Sequence, residues 1–455
     1  MNLRELKSLR EELDVFLAEF DGCIKTGASR KHLRTYVSGQ LSDSERKSIE
    51  PIALEAGVAP RSLQEFLGLH RWDHGGVRQR VGARVMDRHA DPNAIALVDE
   101  TGTAKKGDET AGVQRQYCGS TGKIDNCVVT VHLGYATEDF QTLVDGDLYL
   151  PEKTWAANTK RRRKAGIPDS VTYRHKWEIA LDLLDRSAAN GIEFKYLTAD
   201  ESYGKAEAFR DGVDRRGLVY VVEVPCSLSG WTTRPVVIPA AKSRAAKGRR
   251  RTKAKLDVSA PPARRVDTLV SRKRPAWKTF HIKDTGKGPV VWSVKASRFF
   301  PCSDGLPGGE LWLLIARNVL DEEVKFFLSN APRTVLIPAL LHVAFSRAKI
   351  ERLFEDSKGE IGFDHFEVRH YLSIQRHLIL SMVSLLFLAE QTRRLRGEKR
   401  GVESVPGAGS RRSPTRSRSS GGGADAPAGP CAAENPVLAA DSTCSRTFPQ
   451  EGTIS

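Results

Sequence analysis

Leu3, Leu6, Leu9, Leu13, Phe16, Leu17 and Phe20 recur at the spacing of one helix face, with charged residues between them. Residues 42–56 end at Gly57, and Pro60 opens a further segment through Leu67, which predicts helix, short turn, helix. From Asn93 the period changes. Residues 94–99, 112–118 and 126–136 are short β-rich runs separated by Gly, Asp and Lys turns, the pattern of an antiparallel meander. A helix over 173–189, an apolar run 196–199, a helix over 205–215 and a strand over 218–224 follow. Strands followed by alternating helix and strand predict an α/β fold, a mixed sheet with helices on its faces.

After Val224 that order breaks. Residues 226–310 carry Pro, Gly and a basic run at 242–255, with candidate strands at 277–282 and 290–294, and read as a β-rich insertion with a mobile cationic loop. Strands at 311–316 and 324–328, one long helix over 334–358 and another over 371–395 resume the main pattern. Beyond Arg396 the composition turns to Gly, Ser, Pro, Ala and Arg, as in a disordered tail. The predicted organisation is a helical, DNA-binding segment at 1–90, a core in two parts at 91–225 and 311–395, the insertion at 226–310 between them, and the tail at 396–455.

Charge narrows the class. The chain has 71 Lys and Arg against 56 Asp and Glu, a formal net charge of +15, and that field attracts a polyanion such as nucleic acid. Arg61, Arg71, Arg78, Arg80 and Arg84 decorate the helical segment and its successor, as in a helix-turn-helix module that contacts DNA or, alternatively, a helical bundle with solvated arginines. The 7 cysteines form no paired framework and have no His or Cys partner at ligand spacing, which argues for a reducing compartment and against zinc. The N-terminal helix is amphipathic and unlike a signal peptide, and the apolar stretch 378–389 is too short to span a bilayer; a cytoplasmic protein with no membrane partner is expected.

Three carboxylates stand where the pattern aims them at one place. Asp99 closes the apolar run 94–98, Asp200 closes the run 196–199, and Glu351 lies on a helix with Arg347 and Lys358. At about 100° per residue, Arg347, Glu351 and Lys358 fall within roughly 40° of one another. A surface salt-bridge ladder gives the same spacing, and a strand-end Asp commonly caps a turn, so each is ordinary alone. Together they offer the oxygen ligands that suit Mg²⁺, and two such ions about 3.5 to 4 Å apart can drive an in-line displacement at phosphorus. Glu100, Glu201 and Glu355 are rival carboxylates, with Glu355 the leading substitute for Glu351. Trp155, Trp231, Trp277 and Trp292 lie near basic segments and are candidates for base stacking, though core packing is the commoner role.

The segments 97–102 (Leu-Val-Asp-Glu-Thr-Gly) with Lys105 and Lys106, 115–119, 125–127, 198–204 (Thr-Ala-Asp-Glu-Ser-Tyr-Gly) and 347–365 together resemble bacterial insertion-sequence transposases of the DDE superfamily. The resemblance extends from about Arg46 to Leu395. It implies an RNase H-like core, interrupted by a β insertion between the second Asp and the Glu. It also implies that Asp99, Asp200 and Glu351 are the catalytic, metal-binding triad, served by two Mg²⁺ ions for which Mn²⁺ can substitute. In the related Tyr-x₂-Arg-x₃-Glu-x₆-Lys signature, Arg347, Glu351 and Lys358 match, while the Tyr position falls on Ala344. The implied substrate is double-stranded DNA, as transposon ends and target, cut and rejoined by a homodimer assembled on it. Arg347, Lys358, Lys105, Lys106, Arg249, Arg250 and Arg251 are the expected DNA contacts. A catalytically inactive, repurposed DNA-binding derivative and a general nuclease of the same fold are the alternatives.

Overall fold

The structure is a computed structural model that describes residues 3–240, 252–285 and 288–403. Arg249, Arg250 and Arg251, and the segment 404–455, lie outside the described residues.

Five helices open the chain: α1 (Leu3–Ala18), α2 (Gly27–Gln40), α3 (Ile49–Glu55), α4 (Pro60–Gly68) and α5 (His74–His89). Their starts follow local chemistry. Thr26 caps α2 by accepting the Ser29 N–H, Pro60 occupies the first turn of α4, and Asp73 caps α5 by accepting the Gly76 N–H at 2.8 Å. The apolar faces close on a C-terminal helix, α12 (Tyr371–Glu403). Phe16 meets Phe387, the Tyr36 hydroxyl donates to His377 Nδ1 at 2.8 Å, and Gln40 bonds both Ser381 and Ser384.

That packing reassigns most of the arginines expected on DNA. Arg84 is buried between Glu19 and Glu390, Arg80 pairs with Glu19, and Arg78 reaches Asp145 in the sheet. Only Arg61 and Arg71 of the five stay exposed. Spacing placed them on one region correctly, but which face is buried is decided by α12, far away in sequence.

The sheet is built from β1 (Ile95–Ala104), β2 (Gln114–Cys118), β3 (Lys123–Ala136) and β4 (Gln141–Leu148), then α6 (Thr159–Lys164), α7 (Lys176–Ala189), β5 (Tyr196–Ala199), α8 (Glu201–Gly204), α9 (Glu207–Arg215) and β6 (Val219–Glu223). β1 is antiparallel to β3 along its whole length, and β3 carries β2 and β4 on its other edge. β5 runs parallel to β1, and β6 parallel to β5. Successive residues of β1 point to opposite faces. Asp99 meets Arg347 at the start of a C-terminal helix, and Glu100 meets Lys176 of α7, so helices cover both faces. The antiparallel strands β1, β3 and β4, with the short β2 beside them, followed by two parallel strands and with helices on each face, make the RNase H-like arrangement.

The segment after β6 adds β7 (Ser229–Trp231), β8 (Val237–Ile238), β9 (Lys255–Leu256), β10 (Arg264–Arg265), β11 (Lys278–Thr285), β12 (Gly288–Ser303), β13 (Leu306–Pro307), β14 (Leu311–Asn318) and β15 (Val324–Ser329). β15 pairs antiparallel with β6, β14 with β15 and β12 with β14, so the core sheet runs on without a break into the β-rich segment.

The long helix expected over 334–358 is two: α10 (Ile337–Phe345) and α11 (Ala348–Ile361). Ser346 Oγ donates back to the His342 carbonyl at 2.7 Å, competing with the helical ladder at the joint. Arg347 is therefore the N-cap of α11 and not a mid-helix residue. α11 stops at Gly362, whose φ of 62° suits a left-handed helix end. The stretch 371–396 is long and apolar enough to cross a membrane, more so than the sequence suggested, yet 83% of its most apolar window is buried inside the fold. It is a core helix by packing.

Candidate active site at the ends of β1 and β5

The last pair in the parallel register of β1 and β5 is Val98 with Ala199, so Asp99 and Asp200 sit side by side just beyond it. Ligand sites of open α/β sheets form at such strand ends. Asp99 Oδ1 accepts the N–H of Glu100 at 2.8 Å, and Asp200 caps α8 by accepting the Ser202 N–H at 2.9 Å and the Tyr203 N–H at 3.3 Å. α8 lies hard against β6. A Cβ at Gly204 would stand 1.8 Å from the Glu223 carbonyl oxygen, so only glycine lets the Asp200 turn sit there.

Electrostatics at the pair are unfavourable to full ionisation. Burial, and then the Asp200 charge, push the Asp99 carboxyl well above the usual carboxylate range, and Arg347 offsets part of this. Burial and the Glu100 charge raise Asp200. Glu100 itself is held on the opposite face, accepting from Lys176 Nζ at 2.5 Å and from the Tyr203 hydroxyl at 2.7 Å. Tyr203 thus braces two acids at once, with its N–H on Asp200 and its phenol on Glu100.

Arg347 stands at the centre. Its Nη1 donates to Asp99 Oδ2 at 3.3 Å, its Nη2 to Glu351 Oε1 at 2.5 Å, and its Nε lies 3.8 Å from Glu223 Oε2. Glu351 is half exposed and joins the cluster through this guanidinium. Glu355, the rival, points to solvent and pairs with Arg352. Glu223, the last residue of β6, was missed in the sequence. The only signal was its position at the end of a third parallel strand, and β6 was read without a role.

The expected DNA contacts separate. Lys358 stands near enough to His132 to help burial lower that imidazole. Lys105 turns inward: its ammonium donates to the Phe366 carbonyl and lies 3.5 Å from the Phe366 ring centroid, and burial lowers it to about 8. Lys106 is exposed. In α6, Arg161 and Arg162 are tied to backbone carbonyls and Lys164 to Glu109, while Lys160 and Arg163 face outward. Trp155, Trp231 and Trp292 are core residues, and Trp277 lies between the Lys295 and Arg317 cations, so the stacking role passes to none of the first three. Ala344, at the signature's Tyr position, is buried.

Carboxylate oxygens in excess of cations are the donor set a hard divalent ion takes, and Mg²⁺ needs few of them beside water and phosphate. Asp99 and Asp200 fit that requirement. Among the described residues, no group of three or more His, Cys, Asp or Glu side chains is gathered to hold a metal ion. Glu351 is the member held apart, with Arg347 between it and Asp99.

A family model described as DDE superfamily endonuclease matches residues 19–289. The chain belongs to that family. Over 190 residues it is 31% identical to a probable transposase for insertion sequence element IS701 of Microchaete diplosiphon, a match covering 41% of this chain and 46% of that relative. The matched part spans less than half of the relative's length.

Proposed function

We propose that the protein is a DNA transposase that binds the terminal inverted repeats of a mobile element, cuts phosphodiester bonds with divalent metal and joins the freed 3′-hydroxyls to target DNA. The observation that carries this reading is the adjacency of Asp99 and Asp200 at the ends of two parallel strands, with their charges only partly offset by one guanidinium. Asp99 and Asp200 would hold the metal, and Glu351 would complete the set. Bound Mg²⁺ or Mn²⁺ supplies activation of the attacking oxygen and stabilisation of the leaving one. The chain's own residues do the rest. Tyr203 and Glu100 fix the Asp200 turn, and Arg347 and Lys358 are cations for the scissile phosphate. Lys106 and the basic run with Arg249, Arg250 and Arg251 neutralise phosphates further out.

The relative's name as a probable transposase supports the choice of strand transfer over simple cleavage. Segment 1–90 is assigned to DNA ends, 91–225 and 311–395 to catalysis, and 226–310 to the β insertion. A homodimer on paired ends, in the bacterial cytoplasm and on the nucleoid, completes the reading. The test is Mg²⁺-dependent nicking and joining of end-bearing DNA by purified protein. Wild type is expected to do both and Asp200→Ala neither. Full activity of Asp200→Ala overturns the proposal, binding without chemistry favours the repurposed DNA-binding derivative, and cleavage regardless of ends favours a general nuclease.

A further inference from the structure

We propose that Glu223 is a positioning residue of this site, the carboxylate that keeps Arg347 in place when a divalent cation takes Asp99 and Glu351 from the guanidinium. The inference rests on the metal-dependent reading above. Each nitrogen of the Arg347 fork faces a different acid: Nη1 Asp99, Nη2 Glu351, and Nε Glu223. Two cations cannot share the same oxygens at close range, so metal and guanidinium compete for Asp99 and Glu351. Glu351 can face a metal beside Asp99 only after the guanidinium moves from between them.

Glu223 is built to receive it. Its contact with Arg347 is 3.8 Å, longer than a hydrogen bond, so it can tighten. Its other oxygen lies 3.5 Å from Lys325 Nζ on β15, which holds the carboxylate from the far side. Its backbone carbonyl is the surface against which Gly204 seats the Asp200 turn, so its place is locked to that of Asp200. Arg347, as the N-cap at the joint of α10 and α11, is anchored on backbone that does not need to move for the side chain to pivot. The result is a cation that leaves the metal ligands yet stays beside them, where a phosphate arrives.

The experiment is Mn²⁺ binding by full-length protein without DNA, read from the electron paramagnetic resonance of free Mn²⁺. Arg347→Gln is expected to bind Mn²⁺ about tenfold more tightly than wild type, since the internal competitor is gone. Glu223→Gln is expected to bind about tenfold more weakly, with the loss falling below about threefold when Arg347→Gln is also present. Glu223→Asp keeps the charge but not the reach, and is expected to fall with Glu223→Gln. An equal effect of Glu223→Gln in both backgrounds, or wild-type binding by Glu223→Asp, overturns the proposal because charge through space would suffice. An Asp200→Asn control that binds Mn²⁺ like wild type overturns the metal reading itself, which separates the two failures.

Discussion

Two acid clusters at this sheet are wired in opposite senses. On β4, Asp145 is met by Arg78 and Arg186, and Asp147 by Arg174 and Gln375, with Arg186 reaching both. Three arginines thus serve two acids, and they come from α5, from α7 and from the segment that leads into it. At the strand ends, Asp99, Glu351 and Glu223 share the single guanidinium of Arg347, and Asp200 adds its charge beside them. A buried acid with matched charge ties elements of the fold together. An acid left in excess of its cations is held at a cost to stability.

The contrast breaks most visibly under neutral isosteres. Asp200→Asn is expected to lower metal-dependent nicking on the order of a thousandfold or more, while its thermal unfolding midpoint stays level or rises because one of several repelling charges is gone. Equal losses of activity and stability would show that the strand-end cluster is a tie like the other. Next in size is Asp145→Asn, which leaves Arg78 without its paired acid and Arg186 with Asp147 alone. A destabilisation of about 3–5 kcal/mol is expected in urea unfolding. Unfolding within 1 kcal/mol or so of wild type would mean that the β4 network contributes little.

That network also explains what could be read from the sequence. β1, β3, β5 and β6 were legible because their apolar runs declare them, and Asp99 and Asp200 were legible as the polar residues that end two of those runs. β4 was not. Its Asp145-Gly146-Asp147 reads as a turn, and only arginines distant in sequence make those acids compatible with a buried strand. The break at Ser346 was hidden because the apolar spacing continues across it; the serine's bond to the His342 carbonyl has no periodic signature. Glu351 was chosen over Glu355 by its spacing to Arg347, and that pair does form, although Arg347 caps the helix instead of lying within it. Glu223 could not be found from spacing, since its role depends on a strand pairing across the sheet.

Titration gives a finer cut. Asp99 is raised to about 8 in the folded chain, above its ordinary value of 3.8, by burial first and by the Asp200 charge second. The folded state therefore binds the proton more tightly than the unfolded state. The folded state gains stability as pH falls through about 8 and loses it as pH rises, with a slope of at most about 1.4 kcal/mol per pH unit. Asp99→Asn removes this dependence. Its advantage over wild type in urea unfolding should be small near pH 4 and grow up to about pH 8, where it levels off. A constant difference across that window would mean that Asp99 is not under charge strain, and the contrast between the two clusters would shrink to one of geometry.

The smallest effect concerns cations and applies the same distinction to two neighbours. Lys105 and Lys106 are adjacent, and both were expected on DNA, but only Lys106 is exposed; the Lys105 ammonium is spent on the Phe366 carbonyl and ring. A phosphate contact releases a counterion, so Lys106→Ala should flatten the salt dependence of DNA binding by about one in the log–log slope. Lys105→Met keeps the aliphatic stem over Phe366 and removes the charge, so it should leave that slope unchanged and shift unfolding by about 1 kcal/mol. Filter-binding isotherms between low and physiological salt measure both. If Lys105→Met flattened the slope as much as Lys106→Ala, the ammonium would have to leave Phe366 when DNA binds. The rule that a satisfied charge belongs to the fold would then fail at Lys105.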